Sequence, residues 1–405
     1  MHVGRALIAA AVAGTAAGSI VPARAFAQAA PPGLHVVPVR NDMKPAEARL
    51  AATTLADILQ ANYVFPDIAT RYADMLRKNA AAGAYDNFPS REQLAAVLTK
   101  DLQSVSPDLH LRVRSEAPST SPGMIQLIGA PGGPVEMRAK APMTMRLLQP
   151  GSTSTQAGAA GRLMLKAIPS SGWIAPGVAY IRFDVFPPDP SVTKAARRFM
   201  AEHASAKTLI IDVRHNFGGG LDQMNAVLPY LFSRQTTLLQ MDTRAAADQP
   251  GLLGTADSSV MREVPGPPGV VRRLQIVRPD PSEHRLFHAK VYLLISRNTV
   301  SAAEHLALAL KSTGRATLVG EATRGAGNFG TERKIGDDLV AFIPVGTTSD
   351  PRSGARWDGT GVQPDISVSP QRALTIALVQ SGLIPADAER VARSVEAGTA
   401  PGLSS

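Results

Sequence analysis

Cysteine is absent from the 405 residues of this chain. That excludes disulfides, thiolate metal sites and a lipid-modified cysteine, so the fold must be held by its core. Aromatic residues make up only 5% of the chain, and the net charge of +9 comes from scattered arginine rather than a basic stripe interleaved with aromatics. A nucleic-acid surface is therefore not indicated. His203, His215, His284, His288 and His305 lack metal-ligand spacing, and no GxGxxG or Walker loop occurs, so neither a metal centre nor nucleotide chemistry finds support. Long apolar runs are also missing. The stretch 6–20 is short and interrupted by Gly14 and Gly18, which argues against a membrane-spanning helix. Preceded by Arg5 and followed by the small-x-small patterns Ala25-Phe26-Ala27 and Ala27-Gln28-Ala29, it reads as a cleaved export signal over 1–29. The expected mature protein is periplasmic or secreted, with no integral membrane segment.

What the chain does have is a change of pattern along its length. Residues 44–114 carry three helical periodicities, over 46–61, 68–82 and 91–105, with Ser90 and Glu92 at a helix start. Residues 108–113 then alternate like a strand. The stretch 115–175 is rich in Pro, Gly, Ser and Thr and reads as connecting strands and loops; no internal repeat or PDZ-like signature is evident. From 176 to 385 strands and helices alternate: strands at 178–183, 209–213, 291–296, 316–320 and 339–344, and helices at 192–203, 221–232, 301–313 and 371–380. The text from 242 to 288 reads as an irregular excursion, and 386–405 as a tail. The alternation predicts an α/β layer with substantial parallel sheet, whose site lies at the carboxyl ends of the strands.

Two such ends carry chemistry. The strand 208–214 opens into Asn216-Phe217-Gly218-Gly219-Gly220, and the strand 291–296 leads to Ser301-Ala302-Ala303-Glu304. A serine at a strand-to-helix turn supplies a nucleophile, and glycine backbone with a helix N-terminus supplies N–H donors for an oxyanion. Ser-x-x-Glu is equally the spacing of a capping box, and three glycines equally a turn.

Taken in order, the segments resemble the tail-specific serine peptidases of family S41. That family embraces C-terminal processing proteases, the tricorn core and the retinoid-binding protein repeats. Residues 212–220 resemble its D-x-R-x-N-x-G-G segment, 296–304 its nucleophile segment, 320–326 the strand-loop that follows, and 359–366 the closing G-V-x-P-D. Tyr63-Val64-Phe65-Pro66 and Asp108-Leu109-His110-Leu111 are similar to the N-terminal half of the tricorn-like and retinoid-binding branch. The resemblance implies a crotonase/ClpP-like layered α/β catalytic domain with an N-terminal helical cap and no PDZ domain. It implies a peptide or protein substrate, no cofactor and no metal. Ser301 is the implied nucleophile, forming an acyl-enzyme, with Gly218 and/or Gly219 and Ala302 lining the oxyanion hole. The processing branch takes a lysine base from the glycine-rich loop, but residues 325–330 contain none, and Lys334 lies too far along. His110 matches the histidine base of the other branch. Asp358 stands where that branch usually has a glutamate, and Asp108 is the rival for orienting His110. The carrier role of the retinoid-binding repeats leaves a binding module for an apolar ligand as an alternative, and an esterase as another.

Overall fold

The structure is a computed structural model that describes residues 43–88, 90–116, 166–254, 258–280 and 285–404. The export signal read over 1–29, residues 117–165 of the connecting stretch, and His284 lie outside the described residues. The described residues belong to one compact unit.

The chain begins with helices α1 (Pro45–Asn62), α2 (Pro66–Ala81) and α3 (Arg91–Val105). Proline sits in the first turn of α1 and α2, where its missing N–H costs nothing. The Ser90 hydroxyl caps α3 by accepting the Gln93 N–H at 3.3 Å. After them come β1 (Arg112–Ser115), β2 (Ser170–Ala175), β3 (Val178–Arg182), α4 (Pro190–Glu202), β4 (Thr208–Asp212) and α5 (Asp222–Val227). The middle of the chain forms β5 (Thr236–Arg244), β6 (Met261–Val264) and β7 (Val270–Val277). It is followed by β8 (Lys290–Ile295), α6 (Ala302–Ser312) and β9 (Thr317–Gly320). The remainder is β10 (Asn328–Gly336), β11 (Leu339–Ser349), β12 (Ile366–Ser367), α7 (Pro370–Gln380), α8 (Pro385–Glu396) and β13 (Leu403–Ser404).

Two sheets result. One runs β12-β9-β8-β4-β3-β2-β13, parallel from β12 to β3 and antiparallel at β2 and β13. Its central strands are apolar on both faces, as a sheet covered on both sides requires. Leu209 and Ile211 of β4, with Leu293 and Ile295 of β8, pack toward α4, α5 and α6. Ile210, Tyr292 and Leu294, one residue out of phase, pack toward α7 and α8. The second sheet, β1-β11-β5-β7-β6 with β10 on β11, is antiparallel throughout. The N-terminal helices close over it, burying Leu55, Leu59, Leu98 and Leu102 with Ala341, Ile343 and Val345.

Four local expectations need correction. The stretch 242–288 is not irregular throughout: the end of β5, all of β6 and all of β7 lie within it, and the Pro- and Gly-rich segment 265–269 is the turn between β6 and β7. The helix expected over 221–232 stops at Val227 and passes into a short 3-10 turn at Leu228–Tyr230, where Pro229 cannot continue an α-helix. The strand expected from 108 begins only at Arg112, because the Asp108 carboxylate folds back on the next residues' N–H groups. Finally, 386–405 is no loose tail: α8 buries Ala388, Ala392 and Val395 against the parallel sheet, and β13 pairs with β2.

Candidate active site

β4 and β8 are neighbours in the parallel sheet, with Asp212 opposite Leu294. Their carboxyl ends therefore deliver the glycine run and Ser301 to one place. Side chains stitch the two turns together: Ser296 Oγ donates to the Arg214 carbonyl at 2.5 Å, and Thr299 Oγ1 to the Val213 carbonyl at 2.8 Å. The Val300 N–H adds a third bond, to the Asn216 carbonyl at 2.9 Å. Beneath them Asp212 and Arg214 form a buried pair (2.6 Å), and Arg214 reaches on to Glu396 of α8 and the Pro370 carbonyl of α7. Burial opposes the charge on Asp212, but Arg214 holds its carboxyl below the usual carboxylate range.

Ser301 precedes α6 with φ 57° and ψ −116°, a conformation that L-residues rarely adopt. Strain of this kind costs about 1–3 kcal/mol and persists where the surroundings fix it. Glu304 supplies that fixing. Its fully buried carboxylate accepts the Ser301 N–H (2.7 Å), the Thr323 hydroxyl (2.6 Å), and the Gly325 and Ala326 N–H groups (2.6 and 2.9 Å). Burial pushes its pKa up while these donors pull it down. The sequence spacing identified Glu304 as a capping residue; its reach to the loop 323–326 was not visible there.

Gly218 lies directly against the serine: a Cβ on it would sit 2.9 Å from Ser301 Cβ and 3.2 Å from the Ala302 nitrogen. Its own N–H is spent on Asn216 Oδ1 at 2.8 Å. Gly219 and Ala302 have N–H groups without a hydrogen-bond partner among the described residues. Gly219 is held at φ 131° against the Phe186 carbonyl, an approach that only glycine permits. Of the two glycines read from the sequence, Gly218 thus provides close packing, and Gly219 is the one with a donor to offer.

His110 lies on the other wall, its ring stacked on Phe342 with centroids 5.5 Å apart. Burial pushes its pKa down to about 4; Asp108 opposes that shift and Arg112 adds to it. The imidazole is therefore neutral at pH 7, as a general base must be. Asp108 does not bond the ring. Its Oδ1 accepts the His110 and Leu111 N–H groups (2.9 and 3.4 Å), and its Oδ2 accepts the Tyr63 hydroxyl and Asn328 Nδ2, both at 3.0 Å. The rival role for Asp108, a direct bond to the ring along a strand face, is thus not what the structure shows. Asp358 is packed against Gly327, where a Cβ would fall 2.8 Å from its Oδ1. Burial, with the neighbouring Asp108 charge, lifts its pKa to about 6, against the pull of Arg356. No hydrogen bond joins Ser301 to His110, or His110 to Asp358, among the described residues. Such bonds are often long in free enzymes and tighten when substrate binds. The walls are nonetheless linked through the loop that Glu304 holds, since Gly325 accepts the Gly359 N–H, Gly327 faces Asp358, and Asn328 bonds Asp108.

Two other histidines have packing roles. His203 stacks on Phe199 and lies near Trp173, while buried His305 bonds Gln275 Oε1 at 2.7 Å, its pKa pushed down to about 3 by burial.

A strained serine at the head of a helix, packed against glycine and flanked by unbonded amides, is the framework of a serine hydrolase. The sequence models place it more closely. Peptidase family S41 matches residues 177–368, and the N-terminal domain of Peptidase S41 in eukaryotic IRBP matches residues 45–146. The chain belongs to peptidase family S41. A curated relative, the chloroplastic C-terminal processing peptidase of Tetradesmus obliquus, is 26% identical over 237 residues; the match covers 57% of this chain and 42% of that protein's length. Among solved structures, the photosystem II D1 C-terminal processing protease aligns over 87% of this chain and 98% of its own, at 18% identity and a TM-score of 0.50. Mature CPAF aligns over 87% and 97%, at 14% identity and a TM-score of 0.51. At these identities the two structures speak for the shared fold.

Proposed function

We propose that the protein is an exported serine peptidase that hydrolyses peptide bonds through an acyl-enzyme on Ser301. The observation that carries this reading is Ser301 itself, strained at φ 57° beside the free N–H groups of Gly219 and Ala302. In the proposed reaction the His110 imidazole takes the Ser301 hydroxyl proton as Oγ attacks the peptide carbonyl. The Gly219 and Ala302 amides stabilise the tetrahedral oxyanion, and the imidazolium returns the proton to the leaving amine. The carboxylate of Asp358 is assigned the part of stabilising the imidazolium. Water then hydrolyses the acyl-enzyme by the same steps. Export rests on the signal-like text over 1–29, with no helix among the described residues long and apolar enough to cross a membrane.

The test is labelling by a fluorophosphonate probe at neutral pH, comparing wild type with Ser301→Ala and His110→Ala. Labelling confined to wild type is expected. A folded wild-type protein that resists the probe would instead favour a binding module on the same framework.

A further inference from the structure

Three buried polar atoms near the His110 wall have no hydrogen-bond partner: His110 Nδ1, Asn328 Oδ1 and Asp358 Oδ2. A buried polar atom left unpaired is costly, so such a group needs an explanation. We propose that Asn328 is a positioning residue for the base: anchored by Asp108, its side-chain carbonyl accepts the His110 Nδ1 proton and so keeps Nε2 free to receive the serine proton. The inference rests on the peptidase reading for its use, but not for its geometry.

The orientation of Asn328 follows from its partner. A carboxylate only accepts, so the contact with Asp108 Oδ2 at 3.0 Å must be made by the amide nitrogen. The carbonyl oxygen is then turned away from Asp108, and Asn328 is only 4% exposed, so water from the surface does not serve it. The imidazole has the complementary need. Its Nδ1 faces the interior, and a neutral ring must carry its one proton on Nδ1 if Nε2 is to act as base. Asp108 cannot take that proton's hydrogen bond, since four donors already occupy its two oxygens. Asp108 still contributes through the amide. Its negative charge draws on the Asn328 N–H and enriches the carbonyl on the far side, as in any chain of hydrogen bonds. A turn of the imidazole closes the link. Asp358 is the competing acceptor, which is why the test includes it.

Protein carrying 15N-histidine would be examined by long-range nitrogen–proton NMR at pH 7, the His110 signals being assigned by their loss in His110→Ala. The expected wild-type tautomer is Nδ1–H. Asn328→Leu should move it toward Nε2–H and slow fluorophosphonate labelling about tenfold or more, a fraction of the roughly 10²–10⁴ carried by a general base. Asn328→Ser, which shortens the side chain away from the ring, carries the same test if the leucine variant does not fold. A His110 that remains Nδ1–H in folded Asn328 variants overturns the proposal, as does a tautomer that moves only in Asp358→Ala. If wild type takes no label while the tautomer still follows Asn328, the peptidase reading falls and the positioning role stands.

Discussion

The two walls of the site are built in opposite ways. Around Ser301 the backbone is pinned: Glu304 gathers four donors, and Ser296, Thr299 and Val300 tie the elbow to the neighbouring strand end. Around His110 the fixed bonds belong to Asp108 and the backbone, while the ring nitrogen, an amide oxygen and a carboxylate oxygen remain unpaired. In the proposed reaction the oxyanion frame must hold a reactive geometry before substrate arrives, because its contribution depends on avoiding reorganisation. The proposed proton relay must change partners during the reaction, and a wall with spare acceptors allows that. Strain is thus placed on the rigid side and adjustability on the other.

The largest effect should come from breaking the rigid wall. Glu304→Ala leaves several buried N–H groups without an acceptor and should cost roughly 3–5 kcal/mol in denaturant unfolding, with labelling of Ser301 lost. His110→Ala attacks the other wall. It should slow labelling by about 10²–10⁴ while lowering stability by about 1 kcal/mol, so that rate and stability part company as they do not for Glu304. A pH series sharpens the same contrast. With His110 lowered to about 4, labelling should persist well below pH 6.5 and fall steeply only near pH 4. Protonation of Asp358 near pH 6 should add a shallower decline above that step. A single step near pH 6.5 would show that the ring is not buried in solution as it is here. The stability sign follows from the same shift. The unfolded chain protonates His110 first, so its contribution is complete above about pH 6.5 and is lost as pH falls toward 4. The stability gap between wild type and His110→Ala should narrow over that range. The smallest effect is a gain: Ser301→Gly relieves the positive φ and should stabilise the fold by about 1 kcal/mol while abolishing labelling, whereas Ser301→Ala retains the strained backbone.

Much of the frame was legible in the chain. Apolar strands alternating with helices gave the parallel sheet, and the ends of β4 and β8 gave the nucleophile turn and the glycine run, because these signals are local. What escaped was set by partners distant in sequence. The antiparallel sheet hid behind the prolines of its turns. The division of labour between Gly218 and Gly219 depends on which N–H the Asn216 side chain captures, and spacing does not encode that choice. Asp108 looked like a strand neighbour of His110, yet its carboxylate turns back on the chain before the strand starts. Nothing local marks Asn328, whose contact with Asp108 spans 220 positions.

The stitching of the nucleophile turn has a bearing on when activity can arise. Ser296 and Thr299 bond carbonyls that lie 82 and 86 positions earlier in the chain. Contacts of such separation close only after a long loop has been ordered, and they tend to come late in folding. Until β4 and β8 have paired, Ser301 is an ordinary hydroxyl on a mobile chain, without strain, amides or base. A complete chain that has not yet folded would carry the whole sequence of a protease and none of its danger.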